Sequence, residues 1–248
     1  MKIKEWFERL RRKTLTFGYT CDNCGAELFD YPAHRFCATC EGKLLSPKRS
    51  CPKCGRETIA DGVCLTCKSR APKFTQGISP FSYKGDTALC INKMKNGEPR
   101  LAAYLGEKMA DAFLENYAGA EEKEWLIIPV PLTADRKKIR GYNQAELLAE
   151  SAQNRLRERG VSSVLNNEAL EKKRETGLQK EKGAKERAES IQGAYHLHLR
   201  LVCKDRYILL IDDIQTTGAT GSECAGKLLN AGAKEVIFLT AAALPERK

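Results

Sequence analysis

The chain has 248 residues, 42% of them hydrophobic and 30% charged, with a formal net charge of +10. That length and apolar share allow one large or two modest domains with a buried core, and no apolar run is long enough to cross a bilayer, which excludes membrane insertion. The surplus of 42 Lys and Arg over 32 Asp and Glu suits an anionic partner such as nucleic acid or a polyphosphate, and equally a device for solubility.

Residues 1–18 read as a charged amphipathic helix. They lack the apolar core of a secretion signal, which points to a cytoplasmic protein whose paired thiols hold metal rather than form disulfides. Eight of the eleven cysteines follow within 19–73, as four Cys-x-x-Cys pairs: Cys21/Cys24, Cys37/Cys40, Cys51/Cys54 and Cys64/Cys67. Each pair puts two sulfurs on one tight turn, and Gly25 and Gly55 let the backbone swing back after the second cysteine. Two such knuckles complete a tetrahedral site closed to water, so two structural Zn²⁺ are expected, and they supply much of the segment's folding free energy. Sequential pairing, first four and last four, is preferred because each site then brackets one hairpin; a crossed pairing uses the same ligands. Lys43, Lys48, Arg49, Lys53 and Arg56 suit phosphate contacts. Phe29, Tyr31 and Phe36 either stack on bases or pack over the knuckles.

From residue 74 to 248 helices alternate with apolar runs, the pattern of an α/β domain with a mainly parallel sheet. Gly77–Tyr83 reads as an edge strand or hairpin, 86–95 as a short helix, and 99–117 as a longer helix with proline in its first turn. A buried strand over 125–130 ends in Pro129-Val130-Pro131-Leu132. Arg136, Lys137, Lys138 and Arg140 follow, and Asn143 caps a helix running to about Arg159. Glu171–Arg187 is mostly charged and reads as a solvated helix or a mobile loop.

The most informative stretch is Ile208-Leu209-Leu210-Ile211-Asp212-Asp213-Ile214-Gln215-Thr216-Thr217-Gly218-Ala219-Thr220. An unalternating apolar strand is buried on both faces, as in a parallel sheet, and its carboxyl end is where a ligand sits. Thr216, Thr217, Gly218, Ala219 and Thr220 can wrap a phosphate with hydroxyls and backbone N–H groups ahead of a helix N-terminus. Asp212 and Asp213 cannot bind phosphate themselves; they suit vicinal ribose hydroxyls or Mg²⁺.

This pattern resembles the phosphoribosyl-pyrophosphate (PRPP) motif of type I phosphoribosyltransferases. The resemblance implies Asp212 and Asp213 on the ribose hydroxyls and residues 216–220 around the 5′-phosphate. Asp212, Asp213 and Arg140 would be the catalytic residues; Pro131, Arg136, Lys137 and Lys138 would lie on the pyrophosphate side, where Arg140 also offsets charge, with Mg²⁺ entering with PRPP. The cysteine-rich double ribbon, Ile91-Asn92-Lys93-Met94-Lys95, Pro129-Val130-Pro131, Arg140-Gly141-Tyr142-Asn143-Gln144 and the PRPP loop together resemble the ComF/ComFC family. That family implies a role in DNA uptake during natural transformation, single-stranded DNA as partner and a ComFA-type helicase nearby. Arg174, Thr176, Gln179 and Arg187 match its pattern for a lid, whereas Lys182, Ser190 and Tyr195 depart from it. Two roles follow: a competence protein that binds PRPP or a ribose 5-phosphate-type ligand, or an active phosphoribosyltransferase with a ribbon appendage. No residue set marks the acceptor of such a transfer.

Overall fold

A computed structural model describes residues 19–28, 35–173, 193–198 and 200–246. The segment 1–18 and the lid candidates Arg174, Thr176, Gln179 and Arg187 lie outside the described residues, as do Phe29 and Tyr31. The chain divides into two compact units, 1–44 and 45–248.

The first unit holds a knuckle at Cys21–Gly25, where Gly25 N–H returns to Cys21 C=O at 2.8 Å and Thr20 bridges Glu27. Helix α1 (Ala38–Lys43) starts at the second pair, with the Cys37 sulfur accepting from Cys40 N–H. Phe36 is buried, which favours packing over base stacking for this ring.

The second unit opens with a near copy of that knuckle. Gly55 N–H returns to Cys51 C=O at 2.8 Å, Ser50 bridges Glu57, and helix α2 (Leu65–Ser69) starts at the second pair. The central sheet follows. Strands β1 (Gln76–Ile78) and β2 (Phe81–Ser82) both pair in parallel with the last strand, β8 (Glu235–Ala243), so the expected edge element is a broken parallel edge and not a hairpin. Helices α3 (Gly85–Lys95) and α4 (Leu101–Asn116) lead to β3 (Trp125–Pro129), α5 (Ala134–Arg140), α6 (Gln144–Glu158) and β4 (Ser163–Leu165). A small antiparallel pair, β5 (Leu170–Lys172) and β6 (Tyr195–Leu197), stands apart from the main sheet. After α7 (Arg200–Cys203) come β7 (Tyr207–Gln215), α8 (Ala219–Asn230) and β8.

The main sheet has the order β1-β8-β7-β3-β4, and its pairings are parallel. The crossover after β3 runs outward to β4, whereas that after β7 runs the opposite way to β8. Right-handed crossovers in opposite directions cover opposite faces and leave a crevice between the carboxyl ends of β3 and β7.

The strands read as unbroken apolar runs because both faces are covered. On one face Leu126, Ile128, Ile208, Leu210, Val236 and Phe238 share a core with Phe74, Cys224, Leu228 and the four cysteines of the second cluster. On the other, α4 and α6 pack together closely: a Cβ on Gly106 would lie 2.6 Å from the Ser151 Cβ. At the amino ends of β3 and β7 the Trp125 ring meets Phe113 and Tyr117 edge-on. Among the described residues no helix is long and apolar enough to cross a membrane.

Candidate functional site

Strand β7 continues past its two carboxylates to Gln215, so Asp212 and Asp213 are held on regular backbone at the carboxyl end of the central strand. Thr216 and Thr217 form the turn. Gly218, at φ 79°, caps α8, and Ala219 and Thr220 open its first turn. A non-glycine residue in this left-handed conformation would be strained. The Thr217 hydroxyl accepts from Ala219 N–H at 3.3 Å, and Phe74 lies beneath Gly218, its ring atoms 3.9 Å from where a Cβ would stand.

Asp213 is the hub. It is buried, and its Oδ2 accepts from the Gln144 amide at 2.6 Å and pairs with Lys95 Nζ at 3.0 Å. Gln144 Oε1 in turn accepts from Arg140 Nη1 at 2.5 Å. The residues between serve the same end. Tyr142 donates its hydroxyl proton to Met94 C=O at 2.5 Å and accepts from Gly97 N–H at 3.1 Å, which fixes the end of α3 where Lys95 sits. Asn143 accepts from Ala145 N–H as the α6 cap and donates its amide to Val130 C=O at 3.1 Å, tying the helix to the end of β3. Gln144 and Lys95 thus meet on one carboxylate between the two strand ends, with Arg140 bound to Gln144 behind them.

Asp212 behaves differently. Its Oδ1 accepts from Asp213 N–H at 2.9 Å, and desolvation together with the neighbouring Asp213 charge pushes its carboxyl up to about 7. Lys95 and Lys172 oppose that rise. The native state therefore keeps the Asp212 proton to a higher pH than the unfolded chain, whose carboxyl has the ordinary value of 3.8. Stability is lost as pH climbs from 3.8 towards 7. Asp212→Asn is expected to unfold like the wild type near pH 4 and to be more stable by on the order of 1–3 kcal/mol at pH 8, measured by urea unfolding at both values.

The cations after β3 stand on a short helix at the surface. Thr133 caps α5, which buries none of its residues; Lys137 is bound to Glu146 at 2.8 and 2.9 Å, and Lys138 is exposed. Pro131 and Arg136 are half-buried nearby. Lys95 is paired with Asp213, and the charges of Lys95 and Lys172 favour the Asp212 carboxylate. Lys95 ends the quoted Ile91–Lys95 run and was legible there; Lys172, on β5 beside the Tyr195 ring, carried no sequence signal.

The cysteines converge as two sets, Cys21/Cys24/Cys37/Cys40 and Cys51/Cys54/Cys64/Cys67, with sulfurs in each set within 4.8 Å of one another. This is the sequential grouping. Burial opposes ionisation of Cys21, but N–H groups of Cys37, Cys24 and Asn23 overcome it and bring the thiol down to about 7. Cys51 follows the same logic, with N–H groups of Cys64, Cys54 and Lys53 bringing it to about 7. Four soft, converging donors in each set fit Zn²⁺. Of the ribbon cations expected on phosphates, three are engaged internally: Lys53 Nζ donates to Phe74 and Thr75 carbonyls, Arg49 pairs with Asp61 at 2.9 Å, and Arg56 is buried.

Curated relatives match most of the chain. Competence protein ComFC of Bacillus subtilis is 28% identical over 210 residues, covering 81% of this chain and 80% of its own. DNA utilization protein YhgH of Escherichia coli O157:H7 is 27% identical over 204 residues, 81% of this chain and 86% of that one. Competence protein F of Haemophilus influenzae is 26% identical over 230 residues, covering 89% and 95%. The chain resembles the ComF/ComFC family. No family model matches it. Among solved structures, the glutamine PRPP amidotransferase of B. subtilis, complexed with ADP and GMP, aligns with a TM-score of 0.33 at 19% identity, covering 55% of this chain and 25% of that one. The hypoxanthine-guanine phosphoribosyltransferase of Schistosoma mansoni, in complex with IMP, aligns with a TM-score of 0.32 at 16% identity, covering 60% and 67%. In this ComF-like chain the two cysteine sets fit a double ribbon, and they precede an α/β domain with a mainly parallel central sheet.

Proposed function

We propose that this chain is a cytoplasmic competence protein of the ComF type that binds PRPP or a related ribose 5-phosphate at the carboxyl ends of β3 and β7 and handles single-stranded DNA. The observation that supports the ligand most directly is the meeting of Lys95 and Gln144 on Asp213, with Arg140 bound to Gln144, beside a hydroxyl-rich turn at a helix N-terminus. Residues 216–220 take the 5′-phosphate, because N–H groups and hydroxyls there point where the helix end is positive. Asp212 and Asp213 accept from the ribose hydroxyls. Lys95, Lys172 and Arg140 offset the charge of a pyrophosphate. Oxygen donors at the strand end, Asp212 foremost, are the hard ligands Mg²⁺ takes, so an ion entering with the pyrophosphate fits this set. The two cysteine sets hold structural Zn²⁺. The basic surplus, with Lys48 and Arg49 exposed, supports contact with a nucleic-acid backbone, and a ComFA-type helicase is the neighbouring partner the resemblance implies.

Isothermal titration with PRPP and ribose 5-phosphate tests the ligand, and fluorescence titration with a single-stranded oligonucleotide at several salt concentrations tests the DNA contact. The reading expects micromolar-range ribose-phosphate binding and a negative salt slope of roughly 0.7 per phosphate contacted. Absence of both would overturn it. Pyrophosphate release from PRPP with a panel of bases would instead identify an active phosphoribosyltransferase.

A further inference from the structure

The second cysteine set differs from the first in what it is joined to. Its four cysteines are no more than 7% exposed and share the core beneath β3, β7 and β8. The two knuckles follow one pattern, Thr20-Cys21-x-x-Cys24-Gly25-Ala26-Glu27 and Ser50-Cys51-x-x-Cys54-Gly55-Arg56-Glu57. They diverge at the residue after the glycine. Where the first has Ala26, the second has Arg56, 6% exposed, whose Nη2 donates to Thr216 C=O at 2.7 Å.

A second link runs the other way. Gln215, 2% exposed, donates its amide to Cys54 C=O at 2.8 Å. Residues 215 and 216, the last of β7 and the first of the hydroxyl-rich turn, are therefore each bonded to the knuckle within two residues of a sulfur ligand. The knuckle cannot slide, because Gly55 and Gly77 lie backbone against backbone: a Cβ on Gly55 would stand 2.5 Å from Gly77 C=O, and one on Gly77 2.6 Å from Cys54 C=O. Lys53 C=O also accepts from Gly77 N–H at 3.0 Å. Glu246, after β8, accepts from Leu65 N–H at 2.7 Å, which fastens the start of α2.

From these contacts we infer that the second cysteine set is the foundation of the 216–220 turn, with Arg56 as its positioning residue. A closed set of sulfurs fixes the Cys51–Arg56 backbone, Arg56 and Gln215 transmit that geometry, and the carbonyl of Thr216 is held so that the following N–H groups face outward. Phosphate affinity of the turn then depends on an intact second set. The first set carries alanine in the matching place. The inference rests on reading 216–220 as a phosphate-binding turn.

The test uses the full chain loaded with zinc. Arg56→Met removes the donor while keeping an apolar stem, and ribose 5-phosphate is titrated calorimetrically into wild type and variant, with zinc content and melting followed in parallel. The expected result is at least a tenfold loss of affinity with zinc retained at the wild-type level. A folded, zinc-replete variant that binds as the wild type does would overturn the inference. Failure of the wild type to bind would instead strike the phosphate reading itself. Amide hydrogen exchange of the wild type decides independently of whether the variant folds: 216–220 should gain exchange in the same step as 51–56 on graded zinc removal, and exchange of the two segments at unrelated rates would overturn the inference.

Discussion

Serine in place of Cys51 is expected to deprive the sheet domain of most of its stability. Cys51 is 1% exposed and packs in the same core as Phe74, Ile208 and Phe238, so losing the metal there opens a hole in the domain's interior as well as freeing a loop. A structural Zn²⁺ contributes apparent free energies on the order of 10 kcal/mol, against a net stability of about 5–15 kcal/mol for a typical domain. The melting transition should therefore fall by tens of degrees or vanish, with metal content dropping from about two to about one Zn²⁺ per chain. Cys24 is exposed and belongs to the other compact unit. Cys24→Ser should lose one metal and leave the main transition in place. Equal melting of the two variants by circular dichroism would contradict this assignment.

Asp213→Ala should damage both fold and ligand binding, and the two losses can be separated. The Lys95–Asp213 pair is enclosed, with side-chain exposures of 22% and 7%, and removing one member of such a pair costs about 3–5 kcal/mol because the other charge is left without compensation. Gln144 loses its acceptor as well. If Asp213 also receives ribose hydroxyls, affinity for ribose 5-phosphate should fall by on the order of a hundredfold, since hydrogen bonds to a charged group contribute about 1.5–3 kcal/mol each. Adding Lys95→Met to Asp213→Ala removes the stranded cation and should recover much of the stability, measured by urea unfolding, while leaving binding weak. Recovery of both together would show that Asp213 acts only through the fold.

The parts of this molecule that were legible in the sequence are those where local chemistry and long-range packing ask for the same residues. The strand over 207–211 is apolar throughout because both its faces are covered, and Asn143 announced the start of α6 through its capping oxygen. The knuckles were legible because four thiolates at Cys-x-x-Cys spacing leave few alternatives. What stayed hidden depends on topology. The ion pair of Lys137 with Glu146 joins α5 to the neighbouring helix, and no local pattern announces it. Lys172 acts on Asp212 through its charge, from a small sheet whose position no local pattern encodes. Arg56 read as a ribbon cation suited to phosphate, and a contact to Thr216, 160 residues further along, could not be inferred from its neighbours. The edge over 77–83 is short and interrupted, which left strand and hairpin equally compatible until its partner proved to be β8.

The face-to-face glycines at 55 and 77 impose a rule of inheritance on this lineage. A Cβ at 55 meets the Gly77 carbonyl and one at 77 meets the Cys54 carbonyl, so a descendant that altered either position would first have to separate the same two backbones and with them the seat of Gln215. Homologues that retain the buried cysteines should keep both glycines together, whereas those that have discarded the second thiolate set should be released from both at once.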